Sequence, residues 1–236
     1  MPKPYQEKFH LQGGELIRQV TFGMNDGVVS VFALLAGIAG AGQGTQTILV
    51  TLIAATAAGA LSMAAGEFIS SKSESDFFNH EIEQERLEIK LCPEIELEEL
   101  RQIYKKKGFE GDLLDDVVNQ LAKNDDQWIK EMVIDELGVT ELEHESSLKT
   151  ALVIFVAFCI GASFPTLPYV FLAPLNIDAD MIFNISTGVT IGGLFFAGAM
   201  KKFVTGVNWL KSGLEMVLVG AFAFGISYLI GIFIPI

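Results

Sequence analysis

Five uninterrupted apolar runs decide what this chain can become. They cover roughly residues 22–41, 48–69, 150–173, 181–200 and 213–234. Each reaches the ~20 predominantly apolar residues that take a helix across ~30 Å of hydrocarbon. A soluble domain spreads its apolar residues at helical or strand period. Five helices apolar on every side could not be covered by what remains of a 236-residue chain. The pattern predicts an all-α membrane protein with five transmembrane helices. The first 20 residues carry Lys3, Glu7, Lys8, Glu15 and Arg18 and no apolar stretch, which is unlike a cleavable signal peptide.

Between the second and third runs the character changes. Residues 72–149 hold 22 Asp and Glu against 10 Lys and Arg, a balance of −12 in a chain whose total is −13. Three regions follow: 1–71, a tail and the first two spans; 72–149, an acidic insert; and 150–236, the last three spans. A strongly acidic surface attracts cations and repels polynucleotides, so nucleic acid is disfavoured as a partner. Cys92 falls in the insert and Cys159 in an apolar run, so no disulfide and no oxidising compartment are implied. The connection at residues 42–47, GQGTQT, is uncharged, and the one after the third run holds Asp178 and Asp180 and no base. Lys3, Lys8 and Arg18 in the tail, and Lys201, Lys202 and Lys211 between runs four and five, all fall on one side of a five-span model. By the positive-inside rule that side is the cytoplasm, with the insert and N-terminus there and the C-terminus outside.

The insert reads as helical. Span two continues as a helix to residue 91 and stops at Cys92-Pro93, because proline cannot extend a helix. A second helix covers about 95–107, where Lys105, Lys106 and Lys107 suit the negative end of its dipole and Gly108 its C-cap. A short amphipathic piece over 113–121 follows. Asn124-Asp125-Asp126 then caps a last helix that ends at Leu137-Gly138. Leu87, Ile89, Leu97, Leu100, Ile103, Tyr104, Leu114, Val117, Val118, Leu121, Trp128 and Ile129 supply a small core.

Two constellations could hold a cation. Glu81, Glu85 and Glu88 recur at i, i+4, i+7 on one helix face, and Glu96 and Glu99 follow at i, i+3 on the next. Carboxylates from several helices can surround one metal. Met132 and Glu136, at i, i+4 on the last helix, add a soft thioether, which shifts preference toward Fe²⁺ or Mn²⁺. A solvated acidic surface on amphipathic helices would answer to the same spacing. The second constellation lies in the spans, where ionisable groups are costly and usually functional. Asp26 stands inside GMNDGVVS, Glu67 inside SMAAGEF, and Met63 one turn deeper than Glu67 on the same face. The plain readings are a helix N-cap for Asp26, a snorkelling carboxylate for Glu67, and a packing side chain for Met63.

Enzyme chemistry finds no footing. His10, His80 and His144 are too scattered for a zinc site, and P-loop, GxSxG and CxxC motifs are missing. One ExxH, Glu141 to His144, has the spacing of di-iron helices, which need it twice. A membrane-anchored di-iron ferroxidase built on the acidic insert is the competing possibility.

The segments GMNDGVVSVFALLAGIAGA and GALSMAAGEFISSKSESD, the Glu-rich insert, SFPTLPY and GLEMVLVGAFAFGISYLIG together resemble the vacuolar iron transporter family. The resemblance runs along essentially the whole chain. It implies a homodimer of five-span protomers that moves Fe²⁺, and often Mn²⁺, out of the cytosol in exchange for protons, with no permanently bound cofactor. It places Asp26 and Met63 on the translocation route. It assigns metal binding by the insert to Glu85, Glu88, Glu96, Glu99, Met132 and Glu136. Plant members have a second methionine where this chain has Val133, and a glutamate in span two where it has Ala55. Glu67 belongs to the AAGE form of prokaryotic-type members and joins Asp26 and Met63 as a candidate for the path. A prokaryotic plasma membrane is the expected location.

Overall fold

The computed structural model describes residues 14–138 and 146–234. The Glu141–His144 motif lies outside them. Among the described residues the chain is helical, without strands, in the order α1 (Gly14–Gly40), α2 (Thr45–Leu91), α3 (Pro93–Lys106), α4 (Gly111–Leu121), α5 (Asp125–Leu137), α6 (Ser147–Leu172), α7 (Ala179–Thr205) and α8 (Trp209–Phe233). A 3-10 turn at Ala173–Leu175 extends α6. Helices α1, α2, α6, α7 and α8 are long and apolar enough to cross a membrane. Backbone contacts fall into two units, one made of these spans and one of Ile69–Ser147.

In the membrane unit the outward faces are as apolar as the core, as a lipid solvent demands. Val50, Ile53, Leu61, Phe171, Leu218 and Phe222 are all exposed. Inside, Val28, Val31, Phe32 and Leu35 of α1 pack with Leu52, Phe158, Ala162 and Tyr169. Close approach of α1 and α6 depends on two glycines. A Cβ on Gly27 would run into the Phe158 carbonyl oxygen, and one on Gly161 into that of Met24. Small residues at such crossings supply packing where no hydrophobic drive exists between helices. Helix α6 runs through Pro165 and Pro168. The Pro165 carbonyl accepts a hydrogen bond of 2.7 Å from Ser186 Oγ of α7. Asp178 caps α7 by accepting from Met181 N, and Asn208 caps α8 by accepting from Leu210 N and Lys211 N.

The acidic unit follows its sequence signals closely. Helix α2 continues unbroken from the apolar run to Leu91, and Pro93 opens α3 two residues earlier than expected. Lys107, not Gly108, occupies the C-cap of α3, and Gly108 follows it at φ 97°. Asn124 caps α5 by accepting from the amides of Asp126 (3.0 Å) and Gln127 (3.2 Å), and Gly138 ends it. Ile89, Leu100, Leu114, Val118, Leu121, Trp128 and Ile129 form the core, with Leu97, Ile103, Tyr104 and Val117 half-buried against it. Two corrections arise. Leu87 is 43% exposed, because Glu85 and Ile89 turn inward and a residue two positions away points to the far side of a helix. Met132 and Val133, absent from the expected core, are buried in it.

Candidate functional site

The break at Cys92-Pro93 folds α3 back so that its first turn meets the end of α2. Carboxylate oxygens of Glu85, Glu88 and Glu96 come within 4.8 Å of one another. Glu85 is 3% exposed and Glu96 is 6% exposed. One Glu85 oxygen is buried with no hydrogen-bond partner. A buried carboxylate needs either a proton or a cation. Burial, followed by the charges of Glu136, Glu96, Glu88 and Glu99, pushes the Glu85 carboxyl up to about 8. Burial and its acidic neighbours also raise Glu96 and Glu136 above the usual carboxylate range. Three of the six expected insert residues, Glu85, Glu88 and Glu96, thus meet directly, and Glu99 and Glu136 act on them electrostatically. The sixth, Met132, is 0% exposed and packs in the apolar core of the same unit. A cluster of oxygens in this arrangement can replace the hydration shell of a divalent cation.

In the membrane unit Asp26 is no helix cap. Helix α1 begins at Gly14 and passes straight through it, so the carboxylate projects from the middle of a span. Asp26 and Met63 line one groove of about 400 Å³, together with Ser30 of α1 and Ala55, Gly59 and Ser62 of α2. Phe158 also lines it, and its ring occupies the space a Cβ on Gly59 would take. Glu67 does not line this groove. Gln19 Nε2 of α1 donates to Glu67 Oε1 at 2.8 Å, and Arg18 Nη2 stands 4.0 Å from the same oxygen.

Sequence reasoning missed Gln19 as a partner of Glu67 and missed the lining of the groove. A signal for the lining existed: Ala55, Gly59, Ser62 and Met63 fall at i, i+4, i+7 and i+8, one small-residue face of α2. Nothing local marks Gln19, whose partner is far along the chain.

Comparison with known proteins shows the family. The family model of the VIT family matches residues 17–232. Vacuolar iron transporter 1 of Arabidopsis thaliana is 36% identical over 214 residues, covering 91% of this chain and 84% of its own length. Vacuolar iron transporter 1 of Oryza sativa subsp. japonica is 33% identical over 219 residues, covering 93% and 85%. The vacuolar iron transporter of Toxoplasma gondii is 31% identical over 232 residues, covering 96% and 77%. The expected prokaryotic plasma membrane finds no support in these relatives, whose names are vacuolar. With a match that spans all five apolar helices and the acidic unit, the chain belongs to the VIT family.

Proposed function

We propose that the protein is a secondary transporter that moves Fe²⁺, and also Mn²⁺, out of the cytosol in exchange for protons. The relatives' names point to a transporter rather than an enzyme, and iron is the cargo they name. The observation that carries the reading is the groove shared by Asp26 and Met63. A carboxylate within a span is costly unless it meets a cation or a proton, and a thioether beside it favours a transition metal. The same carboxylate can take a proton once the ion has left, which couples the two flows without ATP. The acidic unit, through Glu85, Glu88, Glu96, Glu99 and Glu136, collects ions from the cytosol. Met132 supplies a soft ligand to that site if its sulfur turns out of the core. Asp26 is exposed in the single chain, and a second copy set against this face would shelter it and double the ligands, which supports a homodimer. The charge bias of the short connections supports a cytoplasmic N-terminus and acidic unit and an external C-terminus.

Uptake of Fe²⁺, Mn²⁺ and Ca²⁺ into proteoliposomes, with and without a pH gradient, tests the reading. Flux of Fe²⁺ and Mn²⁺ that rises with an opposing proton gradient, with little Ca²⁺ flux, is expected. Oxygen consumption with Fe²⁺ and no flux would instead favour the ferroxidase.

A further inference from the structure

Glu67 is held in a way that neither simple packing nor a free metal site requires. Its side chain is 13% exposed, and one oxygen serves two partners on α1. The inner partner, Gln19, is 1% exposed and bonded at 2.8 Å. The outer partner, Arg18, has a side chain 67% exposed and stands at 4.0 Å, the limit of an ion pair. An exposed pair at that distance contributes little and breaks easily. The half-buried amide–carboxylate bond is the firmer one, since a largely desolvated carboxylate left without its donor loses stability.

The placement relative to the groove matters as much. Gln19 and Asp26 are seven residues apart on α1, and Met63 and Glu67 four apart on α2. Both spacings put a pair on one helix face. Thus the same faces of α1 and α2 carry two sites in succession: Gln19 with Glu67 toward the helix end from which Arg18 projects, and Asp26 with Met63 further in. Glu67 therefore stands about one helical turn along α2 from Met63, which lines the groove.

We propose that Arg18, Gln19 and Glu67 form a cation-operated gate, in which a divalent ion takes the Glu67 carboxylate from Arg18 while the Gln19 amide turns from donor to ligand. This rests on the transport reading above. A carboxamide carries both a donor and an acceptor on one rotatable group, so the turn costs one hydrogen bond and gains one metal–oxygen contact. Two positive charges on a compact ion compete well against one on an exposed guanidinium, and both Glu67 and the Gln19 oxygen are hard ligands. Closed, the pair ties α1 to α2; opened, it hands the ion on toward Asp26.

Initial rates of Mn²⁺ flux in proteoliposomes of the full-length protein test the gate. Arg18→Gln removes the competitor, so KM should fall about 3- to 10-fold. Gln19→Leu leaves Glu67 without its amide ligand, and KM should rise at least 5-fold. Gln19→Glu supplies two carboxylates, so KM should fall while maximal rate drops through slow release. A purely structural tie would lower thermal stability in both Gln19 variants and leave the KM of Arg18→Gln as in the unmodified protein. KM values within twofold of each other in Arg18→Gln and the unmodified protein overturn the gate, and this arm holds even if the Gln19 variants fail to fold. Absence of flux in the unmodified protein overturns the transport reading instead.

Discussion

Glu85 and Glu96 stand on either side of the Cys92-Pro93 break and bring carboxylate oxygens within 4.8 Å of each other, both residues almost wholly buried. Carboxylates so placed cannot all be ionised without a cation, and this sets how the acidic unit responds to metal and pH. Replacing Glu85, Glu88, Glu96 and Glu99 together by Gln should lower Mn²⁺ affinity of the detergent-purified protein at least 100-fold by isothermal titration. Helicity should stay equal or rise, since like charges are removed. Unchanged binding would show that the buried cluster holds protons and not the metal.

The Glu85 carboxyl sits near 8 in the folded, metal-free protein against an ordinary value of 4.5. The folded state therefore holds a proton there that the unfolded chain gives up between these values. The contribution of Glu85 to stability is greatest below about 4.5 and is lost as pH rises through about 8. Hydrogen-exchange protection factors of α3 and α5 in metal-free protein, with the intrinsic pH dependence divided out, should fall from pH 5 to 9, and Glu85→Gln should flatten that trend. Metal binding must expel the proton, so affinity should climb by up to about tenfold per pH unit below pH 8.

In the membrane unit, Asp26→Asn should abolish flux in proteoliposomes while leaving metal binding by the acidic unit intact. Met63→Leu keeps volume and loses the sulfur. It should reduce flux several-fold and shift preference from Fe²⁺ toward Mn²⁺. Near-normal, pH-coupled flux in Asp26→Asn would place the route elsewhere.

Gly161→Ala sets a methyl group against the Met24 carbonyl oxygen, whereas Gly66→Ala meets nothing within 4 Å. The first should cost about 1–3 kcal/mol as overpacking does, seen as a lower melting temperature in detergent. The second should be neutral or slightly stabilising, as Gly→Ala is in a helix interior.

Topology has its own test. With Cys92 and Cys159 replaced, single cysteines at Asp180 and Val207, both exposed, should label from opposite faces of the membrane. Labelling of both from one side would refute five spans.

Much of the architecture was legible in the chain because its signals are local. Apolar run length set the number of spans, Pro93 stopped α2, and Asn124 and Gly138 bounded α5, each acting within one turn of helix. The acidic cluster was half legible: Glu81, Glu85 and Glu88 declare a face, but that this face turns inward shows only in the burial of Glu85. Leu87 illustrates the limit. It is as apolar as Ile89, and only the direction in which α2 presents its carboxylates left it outside.

What the amino-acid sequence determined by itself was therefore the number of spans, set by hydrophobic length, and most helix ends, set by helix-breaking residues and caps, together with the family to which the chain belongs. Tertiary structure alone decided which side chains share a space. It put Asp26 in the groove with Met63, gave Glu67 to Gln19 and Arg18, and sank Met132 into an apolar core. The reason is physical: these pairings join residues far apart in the chain, and depend on how helices rotate and cross. Contacts such as those of Gly27 and Gly161 settle that rotation, and no local pattern records it.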